Sequence, residues 1–114
     1  MKGAIMELVT VIITTHNRSD KLKNAIRSVL NQTYVNIEII VVDDYSSDDT
    51  ELTIKEFISK YNNIKYYRLD KPSGANVARN IGIMNANGIY ITGLDDDDVM
   101  LENRIINFII RTDK

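Results

Sequence analysis

Apolar residues recur along the chain in two alternating periods. Leu8-Val-Thr-Val-Ile-Ile-Thr14 is β-branched and apolar on both faces, as expected of a strand covered on both sides in a parallel sheet. From Asp20 the period changes. Leu22, Ala25, Ile26, Val29 and Leu30 form one stripe of a helix closing near Asn31-Gln32. Ile37-Glu-Ile-Ile-Val-Val42 is a second buried strand. Asp48, followed by Glu51, predicts the cap of a helix whose apolar face is Leu52, Phe57, Ile58 and Tyr61. Ile64 to Leu69 reads as a third strand, nearer an edge because it carries Lys65 and Arg68. Asp70-Lys-Pro-Ser-Gly74 then opens a third helix with Val77, Ile81 and Met84 on one face and Ala78 and Ala86 beside it. Asn87-Gly88 stops that helix. Ile89 to Leu94 predicts a fourth buried strand, and Leu101 to about Arg111 a last helix, apolar over too wide an arc to be half solvated.

Strict alternation of strand and helix predicts a single α/β domain with a parallel sheet and right-handed crossovers. Ligands of such sheets lie beyond the carboxyl ends of the strands. Here those ends carry Thr15-His16-Asn17-Arg18, Asp43-Asp44 and Asp95-Asp96-Asp97-Asp98. Four carboxylates at one strand tip repel unless water, helix amides or a cation relieves them, and hard divalent cations favour oxygen ligands. The alternative is an acidic turn capping the next helix through Asp97 or Asp98. Convergence of three loops on one rim favours a metal or polyol-phosphate site.

Composition narrows the partners. The charged fraction is 26% and the hydrophobic fraction 44%, with one proline, an ordinary globular balance. Fourteen Lys and Arg against 16 Asp and Glu leave a formal net charge of -2, which supplies no general field for nucleic acid. Cysteine is absent, so thiolate chemistry and disulfides are excluded. No apolar run approaches the roughly 18 residues of a membrane span, and the first residues lack a signal-peptide core; the default expectation is a cytoplasmic chain.

Five stretches, Val9 to Arg18, Ser28 to Tyr34, Glu38 to Asp44, Ala78 to Gly82 and Asn87 to Asp98, together resemble the family 2 glycosyltransferases of the GT-A fold, in order and across nearly the whole chain. The resemblance implies a Rossmann-like three-layer α/β/α domain over residues 1–114 and the donor-binding portion of an inverting hexosyltransferase. Such an enzyme moves a sugar from a nucleoside diphosphate sugar, expected to be uridine-linked, to a glycan or lipid-linked acceptor in cell-surface polysaccharide synthesis. It also implies peripheral association of the full-length enzyme with the inner face of the membrane. By position, Thr15, Asn17 and Arg18 match the edge that holds base and ribose. Asp44 matches the carboxylate that reads a uracil-type base, with Asp43 its neighbour. Arg79 matches an arginine that reaches the nucleotide, where a guanidinium forks onto oxygens. Asp95-Asp96-Asp97 is similar to the Asp-x-Asp motif, with Asp95 facing ribose or donor sugar and Asp95 and Asp97 as the ligands of Mn²⁺ or Mg²⁺.

Alternatives remain open at this point. Asn17 and Asp44 also suit helix caps, and Arg79 a surface ion pair. His16 is read as a wall residue, and Asp96 and Asp98 as supporting or capping groups. Thr14 stands where the family often has proline, and Tyr45 where glycine is common, so the loop after Asp44 is expected to be reshaped. The chain stops at Lys114, before any stretch that would bind the acceptor and supply the general base. It therefore reads as a fragment with no catalytic residue of its own, expected to self-associate through the bare edge of strand four or the last helix. A non-catalytic nucleotide-sugar or metal-binding module is the second reading, and a receiver-like signalling domain the third.

Overall fold

The computed structural model describes residues 7–112. Four strands, β1 (Val9–Thr15), β2 (Ile37–Asp43), β3 (Ile64–Arg68) and β4 (Tyr90–Asp95), alternate with helices α1 (Ser19–Leu30), α2 (Thr50–Lys60), α3 (Ala75–Met84) and α4 (Arg104–Thr112). The sheet is wholly parallel in the order β3-β2-β1-β4. Its two central strands are the two most β-branched runs, and both are buried along almost their whole length.

The sheet separates two apolar layers, as the two-residue repeat of a strand requires. On one face Val9, Val11, Ile13, Ile39 and Val41 pack against Leu22, Ala25, Ile26 and Val29 of α1, Ile54 of α2, and Ile105 and Ile109 of α4. On the other, Ile12, Ile40 and Val42 meet α3 through Ala78, with Ile81 alongside. The result is the three-layer arrangement expected.

Register brings the strand ends level. Thr15 pairs with Asp43, Asp43 with Arg68, and Thr14 with Asp95, so the polar tips of all four strands share one rim. The opposite end of the sheet is fixed by a buried carboxylate in an otherwise apolar strand. Glu38 accepts the Thr10 hydroxyl at 2.6 Å and the Asn87 amide N–H at 2.8 Å, and pairs with Lys65 at 2.9 Å. Thr10 Oγ1 in turn accepts the Gly88 N–H at 2.9 Å. A Cβ at position 88 would lie 2.6 Å from the Thr10 nitrogen, so only glycine lets the entry to β4 press this closely on β1.

Four expectations need correction. In α2 Thr50, Thr53 and Ile54 are buried and Phe57 packs against the same core as expected, while Leu52 is 67% exposed; two threonines and an isoleucine make contacts that the predicted stripe left out. In α3 the inward residues are Ala78 and Gly82, and Met84 is 79% exposed. Close approach is the reason: a Cβ on Gly82 would stand 2.6 Å from Ile12 Cγ2. β4 is an edge strand and only Leu94 within it is buried. The last helix begins at Arg104, not Leu101, which is 81% exposed in the preceding turn.

Candidate functional site

The β1–α1 loop is fastened at both ends. Thr15, at 3% exposure, donates its hydroxyl to Asp96 Oδ2 at 2.9 Å. Arg18 Nη1 lies 3.3 Å from Asp96 Oδ1 and 3.1 Å from Asp97 Oδ2. Asn17 between them takes a positive φ of 53°, which asparagine tolerates better than most residues. Its side-chain oxygen accepts the N–H groups of Ser47 at 2.7 Å and Asp48 at 3.2 Å. Asp48 Oδ1 accepts the Thr50 N–H and hydroxyl at 3.0 and 2.6 Å. Burial raises the Asp48 pKa, and the hydrogen bonds outweigh it, leaving the carboxyl below its usual range. Asp48 thus serves the first turn of α2 as its sequence position suggests, whereas Glu51 pairs with Lys55 at 3.5 Å.

The two aspartates ending β2 have separate surroundings. Asp43 is fully buried; its oxygens accept the Ser46 N–H at 2.9 Å and the Tyr66 hydroxyl at 2.6 Å. Burial, then the Asp43 carboxylate, pushes the Tyr66 phenol far up. Asp43 therefore sits beneath the cleft as part of the frame. Asp44 points the other way, accepting the N–H groups of Ser73 at 2.7 Å and Gly74 at 3.0 Å. It caps the entry to α3, not the α2 that follows it in sequence. The Asp44 carbonyl accepts from His16 Nδ1 at 2.6 Å, which assigns that nitrogen the proton.

Tyr45 corrects the expectation of a reshaped loop. It adopts a left-handed φ of 61°, the conformation a glycine would take, and its ring lies 4.5 Å from the Arg68 guanidinium carbon. The cation–π contact offsets the cost of placing a side chain there.

The acidic turn alternates inward and outward. Asp96 is 7% exposed and is consumed by Thr15 and Arg18, while Asp95, Asp97 and Asp98 are exposed with one carboxylate oxygen of each within 4.8 Å of the others. Asp98 does not cap a helix; its N–H bonds the Asp95 carbonyl at 3.0 Å and α4 starts only at Arg104. Sequence reading placed Asp98 in a supporting role, whereas the turn folds its oxygen back toward Asp95 and Asp97. An all-oxygen set of three ionised carboxylates fits a hard divalent cation such as Mg²⁺ or Mn²⁺. The turn faces a cleft of about 410 Å³ that Thr15, Arg18, Asp44, Arg79, Asp95 and Asp97 line together. Arg79 donates to Asn76 Oδ1 at 3.0 Å and lines the same cleft. Asn17 and Asp43 lie outside this lining.

A family model, Glycosyl transferase family 2, matches residues 10–113. The chain belongs to glycosyltransferase family 2. It is 38% identical over 99 residues to the glycosyltransferase GlyG of Streptococcus pneumoniae, covering 87% of this chain and 33% of that protein. It is 39% identical over 101 residues to the GalNAc(5)-diNAcBac-PP-undecaprenol beta-1,3-glucosyltransferase of Campylobacter jejuni, covering 88% of this chain and again 33% of the relative. The chain thus spans about a third of the length of these two curated relatives. Residues 1–349 of S. aureus TarS, solved with UDP-GlcNAc, superpose with a TM-score of 0.86 at 26% identity over 92% of this chain and 31% of that one. The fold is GT-A.

Within this family 2 domain the roles of the loops divide cleanly. Asn17, Asp43, Asp48 and Asp96 are spent on holding loops to one another. Arg79, Asp95 and Asp97 line the cleft, and Asp98 adjoins the latter two. Among the described residues no helix is long and apolar enough to cross a membrane.

Proposed function

We propose that the cleft binds the diphosphate and nucleoside of a sugar donor, uridine-linked, for an inverting hexosyl transfer by the whole enzyme to a glycan or lipid-linked acceptor. The observation that carries this reading is one cleft lined both by Arg79 and by Asp95 and Asp97 of the outward carboxylate triad. A solved neighbour of the same fold that binds UDP-GlcNAc and a relative named for an undecaprenol-linked acceptor support the donor and acceptor classes. A cytoplasmic setting, with association at the inner face of the membrane, accords with that acceptor class.

In this reading Asp95, Asp97 and Asp98 hold the divalent cation, Mn²⁺ or Mg²⁺. When bound, it supplies positive charge against the leaving diphosphate. Arg79 adds a guanidinium that forks onto phosphate oxygens and stabilises charge on the departing group. Asp44 keeps lone pairs after accepting Ser73 and Gly74, and these receive an N–H of the base. Thr15 and Arg18 shape the ribose edge through their grip on Asp96, and Asn17 and Asp43 position the two loops from behind. In this reading the chain orients the donor.

Calorimetric titration with UDP, with and without Mn²⁺, on the parent chain and on Asp97→Ala tests the reading. Metal-dependent binding abolished by the substitution supports it. Absence of binding to UDP, GDP and CDP under either metal would refute a donor site on this chain.

A further inference from the structure

The acidic turn has its own counter-cation. Arg18 Nη1 sits between Asp96 Oδ1, at 3.3 Å, and Asp97 Oδ2, at 3.1 Å. The two contacts are unequal in kind. The Asp96 side chain is 9% exposed and is fixed from behind by the Thr15 hydroxyl, so it anchors the guanidinium. Asp97 is 44% exposed and belongs to the outward triad, so this contact is the one free to open. Resting on the reading of that triad as a divalent-cation site, we infer that Arg18 competes internally with the metal for Asp97, remaining anchored on Asp96 when Asp97 is released.

The physical case is one of charge. Three ionised carboxylates within reach of one another repel, and one guanidinium shared with Asp97 relieves part of that repulsion without any ligand. A cation entering the triad shares Asp97 with this contact and sits close to a fixed positive charge. Arg18 thereby lowers affinity for free metal and makes occupancy depend on an anion, such as a diphosphate, whose charge offsets both cations. Arg18 is a positioning residue in this sense: it sets the order in which metal and nucleotide are best bound.

The test measures binding of Mn²⁺ alone, without nucleotide, from the electron paramagnetic resonance signal of the free ion. Parent, Arg18→Met, Arg18→Lys and Asp97→Asn chains are compared, each checked for folding by circular dichroism. Arg18→Met is expected to bind Mn²⁺ roughly tenfold more tightly than the parent, the scale of removing one like charge at a partly solvated site. Arg18→Lys retains the charge and is expected to stay within about threefold of the parent. With UDP present, the gain from Arg18→Met should shrink. Equal Mn²⁺ affinity in parent and Arg18→Met, with binding still lost in Asp97→Asn, would overturn the competition while leaving the metal site standing. Mn²⁺ binding insensitive to Asp97→Asn, or absent from every chain, would overturn both.

Discussion

Replacing Glu38 by glutamine should cost the domain about 3 kcal/mol at neutral pH, and most of that cost should vanish in acid. Burial raises the pKa of Glu38, but hydrogen bonds from Thr10, from the Asn87 backbone and side chain and from Lys65 outweigh it, bringing it from 4.5 down to about 2. Each pH unit of such a shift corresponds to about 1.4 kcal/mol between the two protonation states, and the carboxylate is only 8% exposed, so solvent screening takes little from the total. The sign follows from linkage. Between pH 2 and 4.5 the unfolded chain holds a proton that the folded one does not, so stability is full above the higher value and falls as pH drops toward the lower. Glutamine keeps the shape but has no charge for Lys65, and its NH₂ group meets donors either way round: the Thr10 hydroxyl and Asn87 N–H in one orientation, Lys65 and the Asn87 side-chain amide in the other. Urea denaturation followed by circular dichroism at intervals from pH 7 to pH 2.5 measures the difference between parent and Glu38→Gln, which cancels the similar acid loss from Asp48. The gap should be near 3 kcal/mol at pH 7, equivalent to roughly 10 °C in melting temperature, and should close toward pH 2. A gap that stays constant across that range would show that Glu38 contributes through packing and not through its charge.

Other residues yield shorter tests. Gly82→Ala should destabilise by about 1–3 kcal/mol in the same assay, because the methyl must push Ile12 and α3 apart. Tyr45→Gly should lie within about 1 kcal/mol of the parent, since relief of the left-handed φ offsets the lost cation–π contact. Arg68→Ala should cost more than Tyr45→Gly, as it removes both the stack and the hydrogen bond to the Ser46 carbonyl while leaving the strain. Asp44→Ala should lower stability by about 1 kcal/mol by uncapping Ser73 and Gly74, and should weaken UDP binding measured by calorimetry.

The central architecture was legible because its signals are strong and local. β1 is an unbroken β-branched run, β2 is one interrupted only by Glu38 before its closing Asp43, and the stripe of α1 is both apolar and correctly phased. The two helices whose faces were misread share a cause: much of the contact with the sheet there is made by small or polar residues, Ile54 of α2 being the large exception. Thr50 and Thr53 in α2 and Ala78 and Gly82 in α3 carry little hydrophobic weight, so larger neighbours that face solvent dominated the pattern. At the site, the residue types at the strand tips indicated that the candidate groups share one rim, but not which oxygen each carboxylate offers. Thr15 and Asp43 are buried and committed to neighbours, and Asp98 joins the triad because of a turn closed by a backbone bond. No periodicity encodes such pairings. Glu38 was passed over within its strand, although a lone carboxylate in an apolar strand is itself the signal of a buried, satisfied charge.

β4 is held to β1 by polar contacts beyond both of its ends. Ahead of it, Gly88 bonds Thr10 and Asn87 bonds Glu38; after it, Asp96 bonds Thr15. An edge strand with one buried side chain would ordinarily be among the first parts of a sheet to open. Clamped in this way, it should open only together with the central strand, so its ladder amides should exchange with solvent as slowly as those of β1 while the amides on its outer edge exchange freely. The acidic turn then inherits the kinetics of the core: its carboxylates hold their spacing over the time a ligand takes to arrive and leave.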